Sequence, residues 1–367
     1  MEDMRSAKES RGIILMYHRV TEGGRAQGAA SVSSQHFAEQ LVFLRRNFDL
    51  VPLEELLLRL QERKLARQYV VLTFDDGYND NYAVAGPILA RFDAPASVFV
   101  TTGYLDQRRE YWWDELHRLV MEAPENPPEW RFDAGGKEFS FPGSRPRAEA
   151  RESLHALLVT STAEDRERAL DQLAQLTGAS RIIRPEYRPM TSEECRLFDR
   201  GGLIRLGAHT VNHLWLAAHP IQVQEAELRN AKAALESVLG RKVDSFAYPY
   251  GKRDAVGAET LRLVREAGYS LACANVRGQV FSDNDPLWLP RRAPHDIGGD
   301  EFERRIRVMF DDFSILRGPQ GRIESTAAAV AGQPLKKNWR TGTLAGRLAL
   351  KAGRSLRRRF GLKNRPR

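Results

Sequence analysis

The sequence predicts an α/β protein, a parallel sheet or barrel interrupted by one large insertion. Strand-like apolar runs alternate with amphipathic helical segments between residues 12 and 102, and the same rhythm returns between 191 and 310. Parallel strands need long crossovers, usually helical, so this alternation is the mark of a parallel arrangement. Between 106 and 189 the rhythm is lost. At 367 residues the chain has room for one large α/β barrel or two ordinary domains.

Residues 12–18 read as a buried strand, followed by a polar, Gly-rich loop to about Val32. Ser33 or Ser34 can cap a helix running through Asn47, with Phe37, Leu41 and Leu44 on one face. A short strand over 49–53, an amphipathic helix over 53–63 and a β-rich run over 69–74 follow. That run ends at two aspartates, after which a helix is expected over 80–92 and a strand over 96–102. Within 106–189, residues 111–121 look helical, 130–141 alternate like a hairpin around Gly135-Gly136, and one charged helix is expected over 147–176.

The main rhythm resumes at Thr191, which with Glu194 forms a capping-box pattern. Strand 203–207, helix 222–239, strand 243–248, helix 257–267, strands 269–275 and 287–291 and helix 300–310 complete the pattern. The resulting organisation is a short N-terminal extension (1–10), a main domain (11–105 and 190–315), an insertion (106–189), a linker (316–334) and a basic tail (335–367).

Composition narrows the function. The 42% apolar content is that of a globular protein, and Cys195 with Cys273 offers neither a disulfide framework nor a CxxC pair. The net charge of +8 belongs to the tail, because residues 336–367 hold twelve Lys or Arg and no acid. The rest of the chain is net negative, which argues against a specific nucleic-acid groove. The first twenty residues hold no secretory apolar core, and no apolar run is long enough to span a bilayer, so a cytoplasmic location is expected.

Two motifs carry chemistry. Thr73-Phe74-Asp75-Asp76-Gly77 ends a predicted strand, and His209-Thr210-Val211-Asn212-His213 follows another. Parallel sheets and barrels place active sites at the carboxyl ends of strands. Two imidazoles and a carboxylate make a mixed nitrogen and oxygen set suited to zinc-like metals, with a position left for water. Adjacent aspartates point in different directions, so one can bind metal while the other accepts a proton. Asp-Asp-Gly is also ordinary turn chemistry, and an isolated HxxxH is more often a pair of surface histidines. The i, i+4 spacing would put both imidazoles on one face of a helical turn.

With these motifs in place, the chain resembles the NodB-type polysaccharide deacetylases (carbohydrate esterase family 4). Thr73–Gly77 matches that family's first motif in full, His209–His213 matches its second, and Tyr248-Pro249-Tyr250-Gly251 matches its third in part. The resemblance covers roughly 11–105 and 190–310. It implies a deformed (β/α) barrel that hydrolyses N-acetyl groups on amino sugars. Asp76, His209 and His213 would bind a divalent metal, zinc by preference, and Asp75 would be the general base. The backbone N–H of Tyr250 would support the oxyanion.

Two departures follow from the same resemblance. The arginine that steadies the base in many relatives is replaced by Ala247, and Arg291 is the candidate substitute. The usual C-terminal Leu-x-His segment with the catalytic acid is absent, but Leu15-Met16-Tyr17-His18 fits a branch in which it is permuted to the N-terminus. His18 is therefore the expected acid, with His295 as runner-up. Of the tryptophans, Trp215 is ranked above Trp112 and Trp113 as a sugar platform, alongside Tyr250.

The expected substrate is an amino-sugar glycan or a lipid-linked saccharide precursor in envelope or exopolysaccharide synthesis. A related amidohydrolase on a small amide and a catalytically silent glycan-binding domain are the alternatives. In the tail, Leu344, Leu348, Leu356 and Phe360 recur at multiples of four among basic residues, which suits peripheral contact with an anionic membrane.

Overall fold

The computed structural model describes residues 10–23, 31–61, 67–123, 126–134 and 137–311, all within one compact unit, Met1–Arg322. The expected linker (316–334), the basic tail (335–367) and the first nine residues lie outside the described residues.

The chain begins with strand β1 (Arg11–Tyr17), a small parallel pair β2 (Arg19–Thr21) and β3 (Ser31–Ser33), and helix α1 (Ser34–Asn47). Ser33 is the N-cap, its hydroxyl accepting from the His36 N–H. Then come β4 (Asp49–Leu50), α2 (Leu53–Gln61), β5 (Gln68–Phe74), α3 (Gly86–Arg91) and β6 (Ala96–Val100). After the insertion the barrel continues through a further helix and β9 (Ile204–Ala208), α8 (Ile221–Leu239), β10 (Ser245–Ala247), α9 (Ala258–Glu266), β11 (Leu271–Cys273) and α10 (Gly299–Asp311). The helix entering β9 is α7 (Ser192–Arg200), and Thr191 and Glu194 form the reciprocal capping box at its start.

The sheet is parallel throughout, in the order β1-β5-β6-β9-β10-β11, with β4 also on β5. Its two edges are joined by the segment expected as a strand over 287–291. Leu289 bridges to Cys273 and Arg292 to Leu15, each in parallel, with Arg292 N–H donating to Ile14 O at 2.8 Å. The segment is not a regular strand, because Pro290 has no N–H for a ladder. Single bridges therefore close the barrel, which is why it is deformed.

Side chains alternate along each strand. Ile14, Val71, Phe99, Ala247, Cys273 and Leu289 meet in one cluster together with Leu53, Leu56 and Leu60 of α2. The neighbouring strand positions (Ile13, Leu15, Val70, Leu72, Val98, Phe246 and Ala272) join the larger core with the surrounding helices. Two or four residues further along the same alternation stand His18, Asp75, Asn275 and Arg291. The strand pleat, continued to the carboxyl ends, thus brings these four toward one centre.

The insertion has a core of its own. Helix α4 (Trp112–Met121), the antiparallel hairpin β7 (Glu129–Ala134) and β8 (Lys137–Pro142), α5 (Arg147–Leu158) and α6 (Ala163–Thr177) bury Trp112, Leu116, Trp130, Phe132, Leu154 and Leu173 together. Its ends are tied side by side, since the Asp106 carboxylate accepts from the Ser192 N–H and hydroxyl.

Two helical expectations are corrected. The single helix over 147–176 is broken after Leu158, and Thr162 starts a new helix by accepting from the Asp165 N–H at 3.1 Å. The helix over 80–92 begins as a π-helical turn, Asn81–Ala85, with Gly86 N–H reaching Asn81 O. Pro87 has no N–H, so an α-helical bond to the preceding turn cannot form there and the wider turn takes its place.

Candidate active site

Strand β5 ends at Phe74, and the N–H of the next residue, Asp75, still bonds to Tyr17 O at 3.0 Å. The chain then turns sharply, with φ of 74° at Asp76 and 88° at Gly77. At Gly77 a Cβ would crowd Val100 at 3.2 Å, so space adds to the preference for glycine that the positive φ sets. Asp76 O accepts from Thr101 N–H at 3.0 Å and from the Tyr111 hydroxyl at 2.6 Å, which fixes the strained turn.

Residues 209–213 do not form the expected helical turn. β9 ends at Ala208, and the chain doubles back with Thr210 at φ 64° and His213 at φ 52°. His213 N–H donates to Thr210 Oγ1 at 2.9 Å. The compact turn achieves what the helical reading asked of the spacing: both imidazoles face Asp76. Asp76 Oδ1 lies 3.6 Å from His209 Nε2 and 3.5 Å from His213 Nε2. All three residues are buried, with one ligand atom from each within 4.8 Å of the others.

Tyr250 also sits at positive φ, 60°, followed by Gly251 at 56°. Four of the described non-glycine residues at positive φ thus surround one centre: Asp76, Thr210, His213 and Tyr250. Such backbone costs about 1–3 kcal/mol per residue and persists where surrounding contacts over-determine it.

The electrostatics separate the two aspartates. Burial raises the Asp75 carboxyl, but Arg291, with support from His209, more than reverses this and holds it below the usual carboxylate range. Arg291 meets Asp75 as a bidentate pair, Nη1 to Oδ1 at 2.6 Å and Nη2 to Oδ2 at 2.7 Å, and also reaches Thr73 Oγ1 and Ala274 O. Asp76 has no such cation, and burial, Asp75 and Asp114 push its carboxyl well up. Burial lowers His209 to about 4 and holds His213 well below the usual imidazole range, with His209 and Arg166 adding to the latter. His209 Nδ1 lies 2.7 Å from Ala247 O. A carbonyl can only accept, so Nδ1 carries the proton and Nε2 keeps its lone pair toward Asp76.

Asp75, Asp76, His209 and His213 line a cavity of about 320 Å³ together with Met16, His18, Trp112, Trp113, His155, Tyr248, Tyr250 and Asn275. His18, from the end of β1, therefore opens on the same space as Asp75 and Asp76, and burial lowers its pKa while Asp75 opposes that shift. His295 is exposed and absent from the lining; its carbonyl accepts from Gln40. Of the tryptophans, Trp112 and Trp113 of the insertion form a wall of the cavity, whereas Trp215 packs at a tilt on Tyr250, ring centroids 5.0 Å apart, and donates to Asp254 O.

Several residues at this site were missed in the sequence. Glu227 of α8 accepts from the N–H groups of Val211 and Asn212 at 2.9 and 2.8 Å. Arg166 of α6 donates to Asn212 O at 3.0 Å and His213 O at 3.2 Å. His155 stacks on Trp112 at 5.1 Å. None sits in a motif, and each arrives from a helix whose charges read as a solvated face.

A carboxylate and two neutral imidazoles beside an ionised, arginine-held carboxylate form the arrangement of a hydrolase centre at the carboxyl rim of a parallel barrel. The comparisons with known proteins agree. The polysaccharide deacetylase family model matches residues 62–125 and 165–272, leaving out the hairpin, α5 and the N-terminal segment with His18. YxkH of Bacillus subtilis (strain 168), named as a polysaccharide deacetylase, is 32% identical over 309 residues, covering 83% of this chain and 80% of YxkH. The chain belongs to the polysaccharide deacetylases.

A poly-beta-1,6-N-acetyl-D-glucosamine N-deacetylase of Staphylococcus aureus is 24% identical over 139 residues, which is 34% of this chain and 48% of that protein. In fold the chain is similar to the Streptococcus pyogenes deacetylase PplD solved with acetate (TM-score 0.52, 21% identity, 81% of this chain and 98% of that one). It is similar also to IcaB from Ammonifex degensii (TM-score 0.51, 20% identity, 82% and 97%).

Proposed function

We propose that this protein is a metal-dependent N-deacetylase of an amino-sugar glycan or a lipid-linked glycan precursor. The observation that carries this reading is the pairing of Asp76, His209 and His213 with an Arg291-bound Asp75 in one cavity. The donor set fits a divalent ion of the zinc kind: two neutral imidazoles, and a buried carboxyl that makes no ion pair with an arginine or lysine among the described residues. Such an ion, when bound, would polarise the amide carbonyl and make water more acidic.

The chain's own residues supply the rest. Asp75, kept ionised by Arg291, accepts the proton of the attacking water. The Tyr250 N–H, in the turn after β10, faces the developing oxyanion. His18, which lines the same cavity, is the group assigned here to protonate the leaving nitrogen, a role histidine can fill near neutral pH. Trp113, partly exposed at the cavity wall, is the indole against which a sugar ring can pack, with Trp112 buried behind it.

Metal analysis of the purified chain, followed by acetate release from N-acetylglucosamine oligomers and a lipid-linked N-acetylated sugar, tests the proposal. Stoichiometric metal with acetate release supports it. Metal without release from any sugar favours the small-amide alternative, and no metal favours a silent glycan-binding domain. We propose further that the chain works at the cytoplasmic membrane face, held by the basic tail. Salt-sensitive sedimentation with anionic vesicles that is lost on truncation after Gln333 would support this, and equal behaviour of both forms would refute it.

A further inference from the structure

We propose that Arg166, in the insertion, is a positioning residue for the metal-ligating His213 turn, so that the insertion sets metal affinity as well as walling the cavity. This rests on the reading of Asp76, His209 and His213 as a metal site.

The guanidinium is almost wholly buried, at 2% exposure. Its Nε and Nη2 donate to Leu158 O and Val159 O, both at 2.8 Å, carbonyls at the end of α5, of which Leu158 O also accepts from the Ser161 N–H at 3.1 Å. Its Nη1 donates to Asn212 O and His213 O. Among the described residues it has no carboxylate partner, whereas Arg109, Arg181 and Arg184 of the same insertion each pair with a glutamate. A buried, unpaired arginine is costly unless its donors are spent on acceptors, and here they go to four carbonyls. The same group lies 4.7 Å over the Trp112 ring, a wall of the cavity.

Glu227 completes the arrangement from the barrel side. It takes the Val211 and Asn212 N–H groups and the Asn212 side-chain amide at 2.7 Å. The peptide groups of the turn therefore lie between a cation on their carbonyl side and a carboxylate on their amide side. Each charge is compensated by peptide dipoles, and the dipoles in turn are held in the strained geometry that aims His213 at Asp76. Lysine could not reproduce the arrangement, because its three donors radiate from a single point and lack the planar fork.

The test uses the full chain with Arg166→Gln, Arg166→Lys and a control, Leu173→Ala. Leu173 is buried in the same helix and the same insertion core but does not touch the turn. Zinc affinity is read by competition with a chromophoric chelator, and amide hydrogen exchange at Val211 and Asn212 is read on metal-free protein. Arg166→Gln should weaken zinc by about 10- to 100-fold, the usual cost of losing an orienting partner, with a smaller loss for Arg166→Lys. Both should speed exchange in the turn. Leu173→Ala should lower the melting temperature and leave zinc affinity and turn exchange unchanged.

Wild-type zinc affinity in Arg166→Gln, or an equal loss in Leu173→Ala, would overturn the proposal. Should Arg166→Gln fail to fold, Arg166→Lys carries the same comparison. If the wild-type chain binds no zinc, the metal reading fails, and unchanged turn exchange in the Arg166 variants would dispose of the clamp as well.

Discussion

The barrel rim and the insertion meet at one cavity, yet they manage charge in opposite ways. At the rim, Asp76 faces two neutral imidazoles and makes no ion pair with an arginine or lysine among the described residues, and it and three residues around it hold strained backbone. In the insertion, Glu115 is paired with Arg181, Glu110 with Arg184, and Glu167 with both Arg109 and Arg181. One region is built around an unmet electrostatic demand, the other around its satisfaction. The lesson is physical: a site keeps a group poised only if neighbouring structure is rigid enough to prevent relaxation, and paired charges with a separate apolar core supply that rigidity.

The sharpest way to break this comparison is to remove a rim ligand. His213→Ala should abolish acetate release, by at least about a thousandfold, and lower bound metal in parallel, because two protein ligands hold a divalent ion poorly. The fold should persist, since His213 lies at the rim outside the core clusters. Full activity with stoichiometric metal in this variant would show that the demand at Asp76 is met in some other way.

Next in size is Asp75→Asn, which keeps the shape and removes the charge. Turnover should fall by about 10²- to 10⁴-fold with metal retained, the range expected for losing a general base. The variant should also lose stability, because Arg291 would be left as a buried, unpaired cation at a cost of about 3–5 kcal/mol. A drop in metal content instead would mean that both aspartates serve the ion.

How far these roles could be read from sequence depends on the range of the contacts that create them. Asp75, His18 and Arg291 stand on a pleat of period two, so strand reading alone points them inward. Asp76 and His213 were legible as motif members, though not their left-handed backbone, and the helical reading of 209–213 failed because the turn is shaped by Glu227 and Arg166 from distant helices. Arg166 itself was hidden twice. Its segment has the charge pattern of a solvated helix, and the break after Leu158 is marked only by Val159-Thr160-Ser161-Thr162, four weak helix formers of which the last caps the next helix. Trp215, two residues past His213, lies outside the cavity lining and packs on Tyr250, a contact that closeness in sequence does not reveal.

A third prediction concerns the seam between the regions. Asp114 of α4 accepts from the Tyr78 hydroxyl at 2.5 Å, and Trp113 Nε1 donates to that hydroxyl at 2.8 Å. Burial raises the Asp114 carboxyl from 3.8 to about 7. The folded state therefore binds its proton more tightly than the unfolded chain. This contribution to stability is complete below the unfolded pKa and is lost as pH climbs through about 7. Its size is on the order of 4 kcal/mol at most. Melting temperatures between pH 4 and pH 8 should fall less steeply in Asp114→Asn than in the wild type. Identical slopes would mean that Asp114 is ionised throughout and the seam is held by charge after all.

The smallest effect separates the two regions as substrate walls. His155 of α5 is a residue of the stretch the family model leaves out, burial lowers its pKa to about 4, and its neutral ring stacks on Trp112 at the cavity lining. It touches none of the three candidate ligands among its described contacts, so its loss should leave metal and turnover alone. An aromatic contact of this kind is worth about 0.5–1.5 kcal/mol, or roughly two- to twelvefold in binding. His155→Ala should raise KM by that factor at unchanged kcat and zinc content. Trp215→Ala, at a position outside the lining, should leave KM within twofold. The reverse result, with KM moved by Trp215 and not by His155, would return substrate recognition to the barrel and reduce the insertion to a support.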